Sequence, residues 1–383
     1  MEKPMLARRR FLKNISLFAM GMLMGYRRDA TAAREWVTDW FMPDEAGRHT
    51  RTWMAFGASE RIWGKKLLPE VRHNLATIAQ TIAHYEPVSM LVRSDEFDIA
   101  RSLVGTSVEL IELPLDDLWI RDTGPTFVVT GQGCKAAIDF NFNGWGEKQA
   151  FMYDAEVAAF VAELVAVPII KTPLVLEGGC IEVDGQGTAL MTESCVLNDN
   201  RNPGIAKAQF EDEFMPLLGL KKIIWLPGIR GRDITDGHTD FYARFARPGV
   251  VVAGFDPDPG SYDHVVTQRH LEILRASTDA QGRRLDVIVL EAPRTIRRAF
   301  ETDHFAAGYV GYYVCQGAVI MQSFGDVRAD RAAQQALQAV FPDHEIEQIA
   351  IDGIAAGGGS IHCATQQEPW VPGAWHSCGG AIH

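Results

Sequence analysis

Residues 67–92 read LLPEVRHNLATIAQTIAHYEPVSMLV. Leu68, Val71, Leu75, Ile78 and Ile82 recur at three- and four-residue spacings, so the stretch predicts a helix over 67–85 with one apolar stripe. Pro87 stops it, and the apolar run 88–92 predicts a strand. The alternation continues outward, with helices expected over 95–104, 156–167, 262–276 and 329–341. Strands are expected over 108–113, 126–129, 174–176, 180–183, 189–192 and 287–290. Helices and strands that take turns in this way predict an α/β fold. No linker rich in Pro, Gly or Ser interrupts the pattern, and no repeat is visible at a fixed period. No G-x-G-x-x-G opens a helix, so a dinucleotide-binding fold lacks its fingerprint.

The 383 residues carry 37 Lys and Arg against 49 Asp and Glu, a formal charge of −12; 47% are hydrophobic and 22% charged. This composition excludes a mostly disordered chain. The acidic balance argues against a nucleic-acid partner, which would need a basic face, and suits a cationic one. Six Cys without a C-x-x-C pair make neither a disulfide scaffold nor a structural zinc site.

Near the start stand Arg8-Arg9-Arg10-Phe11-Leu12-Lys13, then an apolar run over 15–26, then Ala30-Thr31-Ala32. The run is shorter than the roughly 20 residues a spanning helix takes. The arrangement resembles a bacterial twin-arginine export signal. The expectation is a signal over 1–32, cleaved before Ala33, and one catalytic domain over 33–383. The mature chain would keep 30 basic against 47 acidic residues, a formal charge of −17. It would be periplasmic, with no stable membrane span once the signal is removed. The alternative is an uncleaved amphipathic anchor.

Four short polar stretches stand out from this background. The first, Leu115-Asp116-Asp117-Leu118-Trp119-Ile120-Arg121-Asp122-Thr123-Gly124-Pro125, sets three Asp and one Arg beside Trp119. It reads either as a carboxylate aimed into a site with an aromatic wall or as a turn with a local Arg–Asp pair. The second, Glu177-Gly178-Gly179, reads on its own as a hairpin turn. The third is Thr235-Asp236-Gly237-His238-Thr239-Asp240. His238 and Asp240, two apart, share one side of an extended chain. An imidazole beside a carboxylate suits acid–base work or two metal ligands, but none of the other His stands in ligand-like spacing. The fourth, Gly357-Gly358-Gly359-Ser360-Ile361-His362-Cys363, puts a thiol just beyond a glycine loop that lets a ligand approach the backbone. Cys363 is the candidate nucleophile. Cys134, Cys180, Cys195 and Cys315 lie in apolar or strand-like contexts and read as inert. A thiol, an imidazole and several carboxylates, with no metal or cofactor motif, suggest thiolate attack on a carbon in a cationic substrate. A guanidinium matches carboxylates through paired N–H groups.

These stretches resemble those of the agmatine deiminases, within the guanidino-group-modifying enzymes that also include bacterial peptidylarginine deiminases. The resemblance runs from about Trp53 to Gln367. It rests on five motifs in order: Asp117–Pro125, Asn141-Phe142-Asn143-Gly144-Trp145-Gly146, Glu177–Gly179, Gly237–Asp240 and Gly358–Gln367. It implies a five-bladed, pseudo-symmetric, pentein-like α/β-propeller of ββαβ-type units with the site at its centre. It implies hydrolytic deimination of a small guanidine, agmatine first, through a covalent thiouronium and without cofactor or metal. By resemblance, Cys363 is the nucleophile, His238 the general acid–base and Glu177 its paired acid. Asp122 and Asp240 grip the guanidinium, and Trp119 walls the channel. The alternatives are a peptidylarginine deiminase or amidinotransferase on the same scaffold, or a non-catalytic binder of cationic small molecules, which would not need Cys363. Whether the chain forms a homo-oligomer stays open.

One position departs from the resemblance. In agmatine deiminases a carboxylate four residues before the catalytic His helps hold the substrate's distal amine; here that residue is Ile234, with Asp233 and Asp236 on either side. An aliphatic side chain cannot pair with an ammonium, so Asp236, or else Asp233, is expected to take over. Bacterial peptidylarginine deiminases hold a peptide's terminal carboxylate with Arg residues after the first motif. No Arg occurs between Arg121 and Arg201, which disfavours that substrate.

Overall fold

β1 (His49–Phe56) leads into a helix, Glu60–Ile82, and returns as β2 (Val88–Val92), parallel to β1 and followed by β3 (Val108–Glu112). The structure, a computed structural model, describes residues 40–372; the expected signal over 1–32 lies outside them. The helix begins earlier than its apolar period suggests and bends at Gly64, whose φ is 66°, a conformation that costs glycine little. The predicted stripe is its inner face: Leu68, Val71, Leu75, Ile78 and Ile82 are all buried. Burying such side chains stabilises by about 1.5–3 kcal/mol each.

The remaining sheets follow one rule. β4 (Thr126–Val129), β5 (Lys135–Asp139) and β6 (Ile169–Lys171) form the second; β7 (Glu182–Val183), β8 (Thr188–Thr192) and β9 (Lys222–Leu226) the third. β10 (Ala243–Arg247), β11 (Val250–Phe255) and β12 (Asp286–Glu291) form the fourth; β13 (Tyr313–Cys315), β14 (Ala318–Ser323) and β15 (Glu345–Ala350) the fifth. In each, the first two strands are antiparallel, and a helical crossover brings the third back parallel to the second. β16 (Gln366–Pro369) pairs antiparallel with β1 and completes the first sheet on the same rule. The chain therefore folds as a five-bladed α/β-propeller closed by its last strand.

Most predicted elements appear within a few residues of their expected ends. The exception is 174–176, which is not a strand. Its backbone is bonded by side chains instead. Asn141 Nδ2 donates to the Leu174 carbonyl, and Asn202 pairs with both the N–H and C=O of Val175. An apolar run whose polar backbone is satisfied in that way needs no ladder.

The rule also positions the site. The turn leading into a blade's first strand supplies its polar residues. Ile120–Thr123 precedes β4, Gly178–Cys180 precedes β7, Thr239–Phe241 precedes β10 and His362–Ala364 precedes β16. The fifth lead-in, before β13, contributes the Gly311 carbonyl, which accepts the His362 N–H at 3.0 Å.

Candidate active site

These turns meet at a cavity of about 260 Å³ whose lining includes Trp63, Asp117, Trp119, Asp122, His238 and Cys363. Glu177 and Asp240 stand behind it, bonded to the residues that line it. The approach is too close for extra side chains. A Cβ on Gly179 would come within 2.4 Å of His238 Nδ1, and one on Gly359 within 2.0 Å of the Trp119 ring.

Cys363 is buried, its Sγ 3.2 Å from Ser360 Oγ and 3.7 Å from Asp240 Oδ2. Burial, together with the anions Asp240 and Asp122, pushes the thiol well above its ordinary range, which favours the neutral S–H. The two carboxylates are held differently. Asp122 Oδ2 accepts from Trp145 Nε1 at 2.9 Å, and Oδ1 accepts from the Gly179 N–H at 3.0 Å. Burial, with repulsion from Asp240 and Glu177, still raises its pKa. Asp240 Oδ2 accepts from His362 Nδ1 at 2.7 Å, while Oδ1 is buried with no partner. Burial would raise Asp240, but His362 outweighs it and lowers its pKa. A buried, ionised oxygen without a donor is costly, and a guanidinium N–H is the kind of donor that would satisfy it.

His238 lies between two acids, Nε2 at 3.2 Å from Glu177 Oε2 and Nδ1 at 3.8 Å from Asp122 Oδ1. Burial opposes its charge, but Asp122 and Glu177 prevail and hold it well above its ordinary pKa. Glu177 also accepts from Arg201 Nε at 3.0 Å, and His238 with Arg201 keeps it ionised against the effect of burial. The site thus gathers an imidazole, a thiol and the carboxyls of Asp117, Asp122, Glu177 and Asp240 around one cavity.

Asp236, expected to hold the substrate's amine, does not line this cavity. Its carboxylate is taken up by Lys148 Nζ at 2.7 Å, Arg201 Nη1 at 2.5 Å, Asn200 Nδ2 at 3.0 Å and the Gly231 N–H at 2.8 Å. Through Arg201 it supports Glu177. Asp233 lines a neighbouring cavity of about 530 Å³. Ile234 and Gly358 border both.

Several participants have no reading in the sequence. Trp145 and His362 bond the carboxylates of Asp122 and Asp240. Asp117 accepts from Trp63, Trp119 and Gln149, and burial raises its pKa to about 6. Both Trp145 and His362 fall inside motifs quoted above, and that was the available signal. Cys180, Cys195 and Cys315 are buried free thiols, and Cys134 is disulfide-bonded. The side chains of Glu177, Cys180 and Cys195 offer ligand atoms within 4.8 Å of one another. Arg201 already occupies Glu177, and its charge opposes a metal cation there.

Similar proteins bear on this arrangement. A Streptomyces coelicolor protein assigned as an agmatine deiminase is 43% identical over 335 residues, spanning 86% of this chain and 98% of its own. The agmatine deiminase of Pseudomonas aeruginosa is 35% identical over 351 residues, spanning 86% of this chain and 95% of its own. The solved agmatine deiminase of Enterococcus faecalis superposes with a TM-score of 0.80 at 31% identity, covering 87% of this chain and 96% of that one. The sequence profile of the Porphyromonas-type peptidyl-arginine deiminases matches residues 41–369. With relatives of this similarity along nearly all of the described fold, the chain belongs to the Porphyromonas-type peptidyl-arginine deiminase family, alongside the agmatine deiminases.

Proposed function

We propose that this protein hydrolyses a small guanidine, agmatine first, to a ureido product (N-carbamoylputrescine from agmatine) and ammonia. The observation that carries the reading is buried Asp240, whose Oδ1 has no partner and whose Oδ2 lies 3.7 Å from the Cys363 sulfur. The guanidinium binds between Asp122 and Asp240. Its positive charge offsets theirs, so Cys363 releases its proton to solvent when substrate binds. The thiolate attacks the central carbon of the fixed guanidinium. Protonated His238 donates to the departing nitrogen, ammonia leaves, and an S-alkylthiouronium remains on Cys363. Neutral His238, steadied by Glu177, takes a proton from water. The hydroxide adds to the same carbon, and expulsion of the thiolate releases the ureido product.

Relatives named agmatine deiminase favour agmatine over a peptide, as does the lack of any Arg between Arg121 and Arg201. The test is ammonia release by the purified protein from agmatine, arginine, alkylguanidines and arginyl peptides, with Cys363→Ala as control. Release from agmatine by the parent but not by the variant is expected. Equal release by both would reject the covalent route, and release from none would reject the reading. For location, the basic and apolar start of the sequence supports export by the twin-arginine route to the periplasm. The disulfide at Cys134 suits an oxidising compartment.

A further inference from the structure

We propose that His362 is a positioning residue for the substrate: it pins Oδ2 of Asp240 so that Oδ1 stays free for the guanidinium. This rests on the deiminase reading above. A carboxylate turns about its Cβ–Cγ bond at little cost unless one oxygen is fixed. His362 fixes it, with Nδ1 at 2.7 Å from Asp240 Oδ2 and Nε2 at 2.9 Å from Glu45 Oε2. The ring itself cannot move far. Its backbone N–H donates to the Gly311 carbonyl at 3.0 Å and its carbonyl accepts from Arg121 Nε at 3.3 Å. Glu45 is anchored in turn by Arg121 at 3.1 Å, by Arg244 at 2.7 Å and by the Val314 N–H at 2.9 Å. Arg244 is also paired with Glu182 at 3.2 Å.

Every member of this group is buried. Nδ1 of His362 meets Asp240 and Nε2 meets Glu45, while Arg121 and Arg244 pair with Glu45 and Arg244 with Glu182. Buried acids are tolerated when they are paired in this way. The group leaves one carboxylate oxygen over, Asp240 Oδ1, on the carboxyl whose Oδ2 lies 3.7 Å from the Cys363 sulfur. His362 also adjoins Cys363 in the chain, so one ring sets both the grip and the sulfur's backbone.

Two near-isosteric variants separate positioning from bulk packing. In His362→Asn the amide nitrogen stands where Nδ1 was and keeps the bond to Asp240. In His362→Gln it stands where Nε2 was and keeps only the bond to Glu45. Steady-state ammonia release from agmatine is measured for both and for the parent. We expect His362→Gln to raise KM at least about tenfold and to lower kcat as well, with His362→Asn keeping KM within about threefold of the parent. A purely structural ring would give equal losses, or a worse loss in His362→Asn. Either result, or a parent-like His362→Gln, overturns the proposal. Absence of turnover in the parent overturns this proposal and the deiminase reading together. If neither variant folds, a crystal structure of Cys363→Ala with agmatine decides the matter. Oδ2 on His362 and Oδ1 on the guanidinium is the expected arrangement; both oxygens on the guanidinium, with His362 released, defeats it.

Discussion

The sulfur of Cys363 lies 3.7 Å from Oδ2 of Asp240, so a neighbouring carboxylate favours the protonated thiol. Burial and two anions hold the thiol pKa up; removing an anion must bring it down. Asp240→Asn is therefore expected to move the midpoint of iodoacetamide alkylation of Cys363 to lower pH, while ammonia release from agmatine falls. An unchanged midpoint, followed by mass spectrometry of the Cys363 peptide, would show that Asp240 does not govern the thiol.

Asp236 makes the opposite prediction from a substrate-binding carboxylate. It is buried with Arg201, which bridges it to Glu177. Asp236→Ala leaves that guanidinium one partner short, and breaking such a buried pair costs about 3–5 kcal/mol. Chemical denaturation should show the loss as a lower midpoint, and KM for agmatine in the folded fraction should change little. A stable variant with a strongly raised KM would return Asp236 to the substrate.

Ile234, about a third exposed, borders both cavities, where the tail of the proposed substrate would lie. An aliphatic wall cannot discriminate an ammonium from a methyl end by ion pairing. Comparing kcat/KM for agmatine and for an alkylguanidine of equal length should give a preference below about a hundredfold, or 2.7 kcal/mol. A larger preference would mean that another acid, Asp233 being nearest in sequence, recognises the amine.

Export is tested apart from catalysis. Residues 1–40 fused to a folded reporter should carry it across the inner membrane, and changing Arg8, Arg9 and Arg10 to Lys should stop that. Persistent export after all three changes would reject the twin-arginine route.

The residues proposed to do the chemistry were legible because each breaks an apolar pattern locally. Asp122, Glu177, His238, Asp240 and Cys363 sit in short polar stretches rich in Gly. Their supports were not legible, because support is a matter of distance across the fold. Glu45 meets His362 across 317 residues, and nothing near Glu45 in the sequence announces it. Trp145 is legible as a motif member, but its bond to Asp122 depends on a left-handed turn, φ 58°, that only the fold shows. The five blades escaped detection as a repeat for a related reason. Their hairpin strands run from 2 to 8 residues and are buried along most of their length, so they show no alternation, and the crossovers differ in length. The strand expected at 174–176 failed because Asn141 and Asn202, side chains from outside the segment, did the work of a ladder.

β16 closes the ring against β1, and the turn just before it carries Cys363. Ring closure and placement of the Cys363 sulfur are thus one event, made by the last part of the described chain to leave the ribosome. A nascent chain can assemble Asp122, Glu177, Asp240 and His238 from three lead-in turns while the proposed nucleophile is still absent, since the sulfur arrives only when the ring shuts. A protease that releases β16 is expected to displace that sulfur and open the ring with a single cut.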